Sequence, residues 1–334
     1  MKVPFVCGPG DMQLLDIERP VAGPGDVVLQ VASVGICGSD LGFIAAGGMG
    51  GPTPKPFPIG HELSGIVMEA GTDVHTVSVG DRVILNPLVN MIGNGATEGG
   101  FGEHLLVRDV AGQPGSLLRL PAHISLDHGA LIEPLAVSTH ALNRMRVERG
   151  DKVAIFGAGP IGLAAVVALA HRGIDDVVIF DFSPLRRERA LALGASVAFD
   201  PREHAPAEVL GRAHVTTPFY GHPLPATTHY LEATGAPIIA DIVGYCRPGA
   251  TICIASLQKK TIEINPQLML AKELLITGTF GYPTEMADVL AMLESGAIDL
   301  EPMVSHRFPG TDIMAAFDMA RRPDEAAKVL VQYA

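Results

Sequence analysis

The stretch of sequence that decides most about this chain is VAIFGAGPIGLAAVVALAH, at residues 153–171. It predicts a short apolar strand over 152–156, a G-x-G-x-x-G element at 157–162, and a helix over 161–171 that stops before Gly173. The glycines of this element permit a tight turn, a close approach of the backbone to a pyrophosphate, and close packing of helix on sheet. The start of the helix offers free N–H groups to phosphates. We therefore expect a dinucleotide to contact Gly157, Gly159, Pro160, Ile161 and Gly162.

An acidic residue follows where such a site needs one. Asp181 ends the next predicted strand, 177–180, about 20 residues beyond the glycines. Its carboxylate would accept hydrogen bonds from the ribose hydroxyls and repel a 2′-phosphate, which favours NAD over NADP. Arg186 is expected to stack on adenine or to contact a phosphate. A glycine turn that binds nothing would not need the strand, the helix and the acid together.

Strand-like and helix-like segments alternate around this stretch. A helix over 184–193 ends at Gly194, strands are predicted at 250–255 and 274–279, and two late helices are predicted at about 284–295 and 311–321. Such alternation indicates an α/β fold with a parallel sheet and crossover helices. The histidine-containing segment 204–229 is rich in Gly and Pro, and we predict a loop there without a metal role.

The first 130 or so residues have a different character. Short apolar runs at 27–31, 64–67 and 81–85 are separated by Gly and Pro, which is typical of a β-rich domain. Residues 42–60 contain many Gly and Pro and are predicted to form a long loop. The change of character near residue 133, in a chain of 334 residues, predicts two domains.

Composition and charge exclude several classes of protein. The chain is 48% hydrophobic, and its 36 acidic and 24 basic residues give a net charge of −12. Because there is no run of Lys or Arg, nucleic acid and anionic membranes are not expected partners. The sequence has no apolar run long enough for a membrane span and no signal-peptide pattern at its start. Four cysteines are too few to staple such a fold, so we expect reduced thiols or ligands in a cytoplasmic protein.

Four side chains are candidate ligands of one metal ion. They offer a thiolate, an imidazole and two carboxylates, a set that suits tetrahedral zinc: Cys37, His61, Glu62 and Glu133. Glycines flank Cys37 and His61 and let the backbone crowd an ion. Each residue taken singly also has a structural explanation, as a buried thiol, a core histidine or a surface acid. The spacing alone does not decide between these explanations.

Several motifs occur together, in one order, along nearly the whole chain. They are GICGSD at 35–40, GHELSG at 60–65, VGDRV at 79–83, GGFGE at 99–103, EPLAV at 133–137, the glycine element at 157–162, and ATG at 233–235. In these motifs the chain resembles the zinc-dependent medium-chain alcohol dehydrogenases, and it is most similar to the butanediol, sorbitol and threonine dehydrogenase branch. The resemblance implies a GroES-like catalytic domain at 1–133 and 278–334, and a Rossmann NAD-binding domain at 134–277.

The resemblance also implies roles for single residues. Three of the candidate ligands would bind one catalytic zinc, with Glu133 as the fourth ligand or one water away. Ser39 would start the proton relay at the substrate oxygen, and Asp40 would orient the histidine ligand. Val137 and Thr234 would lie near the nicotinamide end of the cofactor.

Three departures from the family pattern refine these expectations. Residues 86–100 contain no cysteine where many relatives bind a second, structural zinc, so one zinc per chain is expected. Gly42 stands where many relatives have the histidine that ends the relay, so the proton is expected to leave through the cofactor ribose. The segment 41–58 carries no charge before Lys55, which favours a small uncharged alcohol or ketone unless its side chains belong to the domain core.

The expected reaction is the reversible oxidation of a secondary alcohol to a ketone (or of an alcohol to an aldehyde) by hydride transfer to NAD. The alternatives are a zinc-free quinone or enoyl reductase, a polyol or threonine dehydrogenase, and a protein that binds NAD without turnover. A homodimer or homotetramer is expected, formed by sheet edges at the strands around 252–255 and 276–279.

Overall fold

The computed structural model of the chain describes residues 1–258, 260–296 and 298–333. The elements before residue 131 are mostly strands: β1 (Lys2–Gly8), β2 (Asp11–Asp16), β3 (Val27–Gly35), α1 (Gly38–Ala46), β4 (Phe57–Pro58), β5 (Glu62–Ala70), β6 (Arg82–Leu85), α2 (Pro87–Asn90), β7 (His104–Val107), β8 (Leu117–Arg119) and α3 (Leu126–Gly129). Short 3₁₀ turns lie at Pro114–Ser116, Glu301–Met303 and Gly310–Asp312.

Apart from one run of three strands, the elements that follow alternate between helix and strand. They are α4 (Ile132–Met145), β9 (Val153–Phe156), α5 (Pro160–His171), β10 (Val177–Phe180), α6 (Pro184–Ala192), β11 (Val197–Phe199), α7 (Pro206–Ala213), β12 (Thr216–Phe219), β13 (His222–Pro225), β14 (His229–Glu232), α8 (Ile239–Tyr245), β15 (Thr251–Ile254), α9 (Pro266–Lys272), β16 (Leu275–Gly278), α10 (Glu285–Glu294), β17 (Val304–Pro309), α11 (Ile313–Ala320) and β18 (Lys328–Gln332). No described helix is both long and apolar enough to cross a bilayer.

A six-stranded parallel sheet forms the Rossmann part of the molecule. Its strand order is β11-β10-β9-β14-β15-β16, so the order reverses between β9 and β14, where a crevice opens at the carboxyl ends of the strands. The four residues of β9 are buried, as strands covered by helices on both faces must be. The predicted doubly wound α/β fold is confirmed. Strands β15 and β16 cover the two stretches predicted at an oligomer interface. Because β15 is paired on both sides, only β16 of these two has a free edge.

The β-rich part is built from both ends of the chain. A seven-stranded sheet runs β17-β18-β3-β5-β6-β8, with β7 also paired to β3, and a second sheet runs β2-β1-β4. Strand β18 pairs antiparallel with β3, with Leu330 opposite Gly35. The late strands β17 and β18 therefore complete the sheet that contains β3. The boundaries at 133/134 and 277/278 stay a prediction.

Two segments that were predicted to be loops contain regular structure. Helix α1 enters the predicted loop 42–60, because the Asp40 carboxylate accepts the Cys37 N–H (2.9 Å) and caps the first turn, and Gly47, at φ 78°, ends the helix. The segment 204–229 contains α7 and an antiparallel hairpin of β12 and β13. The hairpin was missed because its strands carry the prolines Pro218, Pro223 and Pro225, and proline is rare inside sheets.

Candidate functional site: a buried metal cluster beside a glycine loop

The candidate metal ligands meet where β3 and β5 run side by side. These strands are antiparallel with Gly35 opposite Glu62, which brings Cys37, two residues past the end of β3, to the start of β5. Ligand atoms of Cys37, His61 and Glu62 all lie within 4.8 Å of one another, and we call these three residues the metal cluster. A Cβ at Gly35 would overlap the Glu62 carboxylate, so this close approach requires glycine there.

Asp40 links the two chain segments that carry Cys37 and His61. Its fully buried carboxylate accepts the backbone N–H groups of Cys37 (2.9 Å) and Gly60 (3.2 Å), tying α1 to the residue before His61. Its Oδ1 lies 3.6 Å from His61 Nδ1, and that buried nitrogen has no hydrogen-bond partner among the described residues. Burial lowers the pKa of His61, but Asp40 and Cys37 outweigh it, and the pKa lies well above its ordinary value.

Glu133 stands next to the metal cluster but not in it. It lies in the first turn of α4, is buried, and falls outside the group whose ligand atoms meet within 4.8 Å. Burial raises the pKa of Glu133 to about 7, against the pull of His61, and Glu62 adds to the rise. The structure thus brings together three of the four candidate ligands and sets the fourth carboxyl beside them.

Two residues of this region were missed in the sequence analysis. Lys328, at the start of β18, is wholly buried, and its Nζ donates to a Glu62 carboxylate oxygen and to Ile36 O (3.0 Å). Burial lowers the pKa of Lys328, but Glu62 and Cys37 outweigh it, so the pKa is raised. Tyr282, in the loop between β16 and α10, is buried, and its hydroxyl faces the carboxylate of Glu133. Neither residue belongs to a local motif that could have revealed it.

The cluster residues fit a zinc ion. A thiolate, an imidazole and a carboxylate are ordinary zinc ligands. Among the described residues, the buried His61 Nδ1 has no hydrogen-bond partner, so it is available to a metal ion or to the Asp40 carboxylate beside it. The surroundings are rich in acidic groups, with Asp40 and Glu133 close by and Lys328 as a buried cation. Ser39, in the first turn of α1, also has a buried Oγ without a partner, where a substrate oxygen could meet it.

The glycine loop, residues 157–162, joins β9 to α5 at the sheet crevice. Gly157 has φ 97°, and a Cβ there would lie 2.9 Å from Thr234 Cγ2. A Cβ at Gly162 would overlap the carbonyl oxygen of Gly157, whereas one at Gly159 would meet nothing closer than Arg186 Nη1, at 3.7 Å. The predicted roles of Gly157 in the turn and of Gly162 in helix packing are thus visible as close contacts. At Gly159 an added Cβ would make only an ordinary contact, which leaves room for a ligand.

The residues predicted around the glycine loop lie beside it. Asp181 accepts the N–H groups of Ala158 (2.7 Å) and Ser183 (2.8 Å). Arg186 donates from Nε to Ala326 O (2.8 Å), so it links the Rossmann part to the segment that leads into β18. Burial lowers its pKa.

Thr234 and Val137 flank the same crevice from two other elements. Thr234 follows β14 beside Gly157, and its N–H and hydroxyl donate to Glu232. Val137 lies one turn after Glu133 on α4, partly buried against the largest core. Helix α4, which packs against α5 and α10, therefore extends from the metal cluster toward the glycine loop.

Comparisons with known proteins agree with this architecture. Residues 23–122 match the family model "Alcohol dehydrogenase GroES-like domain", and residues 160–295 match "Zinc-binding dehydrogenase". The chain is 31% identical to (R,R)-butanediol dehydrogenase of Bacillus subtilis over 96% of each protein. It is also 31% identical to sorbitol dehydrogenase of Macaca fascicularis, over 95% of this chain and 92% of that protein.

Solved structures show the same fold. The crystal structure of 2R,3R-butanediol dehydrogenase from Bacillus subtilis superposes with a TM-score of 0.86 at 29% identity, over 100% of this chain and 99% of that one. An alcohol dehydrogenase from Escherichia coli CFT073, complexed with NADH, gives a TM-score of 0.85 at 25% identity, with the same coverage. The chain belongs to the zinc-type medium-chain alcohol dehydrogenases, oxidoreductases that interconvert secondary alcohols and ketones.

Proposed function

We propose that this chain oxidises a small uncharged secondary alcohol reversibly with NAD, using one zinc ion held by the metal cluster. The observation that carries the proposal is that ligand atoms of Cys37, His61 and Glu62 lie within 4.8 Å of one another. In the adjoining helical turn, the buried hydroxyl of Ser39 has no hydrogen-bond partner among the described residues. When bound, zinc supplies Lewis-acid polarisation of the substrate oxygen and NAD accepts the hydride. One zinc per chain is proposed because residues 86–100 contain no cysteine.

The residues of the chain orient the substrate and move its proton. Ser39 Oγ accepts the proton of the substrate hydroxyl. Asp40 holds the backbone on both sides of the cluster and orients His61, and Lys328 fixes Glu62 by an ion pair in a region crowded with acidic groups. Gly42 offers no side-chain base to receive the proton that Ser39 passes on, so a ribose hydroxyl of the bound cofactor would supply the next acceptor. Glu133 stands beside the cluster as a fourth ligand or as the acceptor of a bridging water.

NAD is proposed over NADP because of Asp181. Its carboxylate is held beside the glycine loop by Ala158 N–H and Ser183 N–H, where a 2′-phosphate would meet its negative charge. Asp181→Asn should raise the Kd of NAD by about tenfold and weaken NADP binding less or not at all, since a hydrogen bond to a charged group is at stake. Equal losses for both cofactors would remove the basis for NAD specificity.

An uncharged substrate is proposed on two grounds. The relatives act on butanediol and sorbitol by name, and neither carries a charge. The apolar segment after Ser39 supports this only in part, since Ile44 is buried in the core of the β-rich part and Phe43 packs edge-on against Phe57, with ring centroids 5.8 Å apart. These two side chains therefore shape the domain rather than the pocket.

A homo-oligomer and a cytoplasmic location complete the proposal. Strand β16 has a free edge, and large apolar side chains near it are exposed: Leu257, Leu270, Leu275 and Phe280. Pairing of this edge with a second copy would cover them. The cysteines of the chain are free thiols, in keeping with a reducing compartment.

Removal and return of zinc tests the proposal. Purified protein is assayed with NAD and a panel of secondary alcohols, treated with a chelator until free of metal, and assayed again before and after one equivalent of zinc. We expect activity to vanish and to return with zinc. Full activity of the metal-free protein would favour the zinc-free reductase alternative, and binding of NAD without turnover of any alcohol or ketone would favour a sensor.

A further inference from the structure

Two arginines lie beside the proposed site of the adenosine ribose, at the end of the strand that leads to Asp181. Arg187 Nη1 donates to the carbonyl oxygens of Asp181 (2.8 Å) and Phe182 (2.9 Å). Arg202 Nη2 donates to the same Phe182 oxygen (3.0 Å), and its guanidinium lies 4.9 Å from the centre of the Phe182 ring. Two positive charges therefore lie against the backbone next to the carboxylate that is proposed to repel a 2′-phosphate.

One buried carboxylate, that of Asp200, binds both of these arginines. Asp200 directly follows β11, which pairs parallel with β10, so it lies beside Asp181 at the carboxyl ends of neighbouring strands. Its Oδ2 accepts from Arg187 Nη1 (3.2 Å) and Arg202 Nη2 (2.5 Å), and its Oδ1 accepts from Arg202 Nε (2.9 Å). Charge-assisted bonds of this kind are short and strong, so Asp200 holds both guanidinium groups and offsets part of their charge.

The hydrogen-bonded charges next to Asp181 balance only when Asp200 is counted. Arginine is well suited to bind a phosphate, because its planar guanidinium donates two parallel hydrogen bonds. The charge of Asp181 equals that of one arginine, so the second carboxylate brings this group of two acids and two arginines to neutrality. Without Asp200, a 2′-phosphate beside Asp181 would meet a net positive charge in this group.

Other charged side chains of this region do not replace Asp200. Arg186 donates to the segment that leads into β18, and not to the backbone at the end of β10. Asp324 and Glu203 raise the pKa of Arg202, but each contributes less than Asp200, which is its hydrogen-bond partner. Asp200 is therefore the acid that decides how much of the Arg202 charge reaches a bound cofactor.

We propose that Asp200 is a positioning residue for cofactor choice, which favours NAD by binding Arg187 and Arg202 and withholding their charge from a 2′-phosphate. This rests on the proposed function and goes further, because it divides the choice of cofactor between two acids. Asp181 repels the phosphate directly, whereas Asp200 acts through the two arginines that would otherwise attract it.

The test removes the charge of Asp200 and keeps its shape, in the zinc-loaded protein. In Asp200→Asn, the Kd of NADPH, read from its fluorescence, should fall about tenfold, while the Kd of NADH changes by about twofold at most, because the added positive charge acts mainly on the nearby 2′-phosphate. The gain should shrink in about 1 M salt, which screens charges beyond about 3 Å. Asparagine still accepts from the Arg202 N–H, so the turn after β11 is kept.

Three further variants separate charge from local structure. Asp127→Asn is the matched control, since it removes a carboxylate that accepts from Arg307 Nε (2.7 Å) in the β-rich part, and it should leave both Kd values unchanged. Asp200→Glu keeps the charge and should bind NADPH as weakly as the wild type. The double variant Asp200→Asn, Arg202→Met should lose most of the gain, because one of the freed cations is gone.

Equal changes in the two Kd values for Asp200→Asn overturn the assignment and leave Asp200 as the residue that fixes the turn after β11. A gain that persists in the double variant, or that salt does not reduce, overturns it too, while the proposed function stands. A wild-type protein that binds NADPH as tightly as NADH overturns both this assignment and the proposed preference for NAD.

Discussion

The metal cluster and the glycine loop are built in opposite ways. The glycine loop is contiguous, and its binding surface is backbone: free N–H groups, a turn at φ 97° and an open space at Gly159. The metal cluster is assembled from side chains of separate segments, and it depends on a buried cation from the far end of the chain, Lys328. Binding of the cofactor should therefore survive changes that destroy the chemistry.

The largest expected effect distinguishes catalysis at the metal cluster from NAD binding at the glycine loop. Cys37→Ser should lower kcat/KM by about 10³-fold or more, because Lewis-acid stabilisation is worth several kcal/mol and each 1.36 kcal/mol is tenfold in rate. The Kd of NAD, measured by calorimetry, should stay within about twofold. Cys7→Ser, at another partly buried thiol that is not part of the metal cluster, is the control and should change neither quantity. A loss of NAD affinity as large as the loss of rate would contradict the separation.

The next effect concerns the charge balance of the metal cluster. Lys328→Met leaves Glu62 buried without its partner, which should lower the unfolding free energy of the metal-free protein by about 3 kcal/mol. Lys152→Met breaks an ion pair with Asp176 that is about one third exposed, and should cost less than about 1 kcal/mol. Urea unfolding measures both. Similar losses for the two variants would mean that Lys328 is no more than an ordinary surface partner.

A pair of glycine substitutions tests the backbone side of the comparison. Gly159→Ala should fold normally, because a Cβ there meets open space, yet raise the Kd of NAD by about tenfold or more, because the pyrophosphate needs that space. Gly162→Ala should lower the melting temperature of the protein without any ligand, because the added Cβ overlaps the Gly157 carbonyl. Unimpaired NAD binding by Gly159→Ala would show that the loop does not hold the pyrophosphate.

The contrast also explains what could be predicted from the sequence. The glycine loop is local, so strand, turn, helix and Asp181 could all be inferred. The strands and helices that were predicted in the Rossmann part lie within a residue or two of their expected bounds, whereas others, among them β11, β14 and α8, were not predicted. The metal cluster could be predicted only with the help of the family resemblance. The register between β3 and β5 brings Cys37 to Glu62, and no short sequence spacing encodes that register. Lys328 and Tyr282 act through long-range packing, so nothing local to either residue points to the site.

The smallest expected effect lies at the amino end of a central strand of the parallel sheet, the end opposite the glycine loop. His229 is buried at the start of β14, with Nε2 3.1 Å from Met145 O, and burial lowers its pKa from 6.5. The folded protein therefore favours neutral His229, whereas the unfolded chain takes up a proton at this side chain more readily. The contribution of neutral His229 to the unfolding free energy is present above pH 6.5 and is lost as the pH falls below it.

His229→Gln measures this contribution. The difference in unfolding free energy between wild type and variant, followed by urea unfolding of the metal-free proteins, should shrink as the pH is lowered below 6.5. The comparison cancels groups common to both proteins, including His61 and Glu133. A difference that stays constant with pH would show that His229 titrates alike in both states.

The central claim is that a single zinc at the metal cluster carries the chemistry, and the zinc content of the purified protein tests it most directly. Elemental analysis after exhaustive dialysis should find about one zinc per chain in the wild type and close to none in Cys37→Ser, with NAD binding retained by both. No zinc in a wild-type protein that fully oxidises secondary alcohols would contradict the account. About two per chain would contradict the claim of a single site.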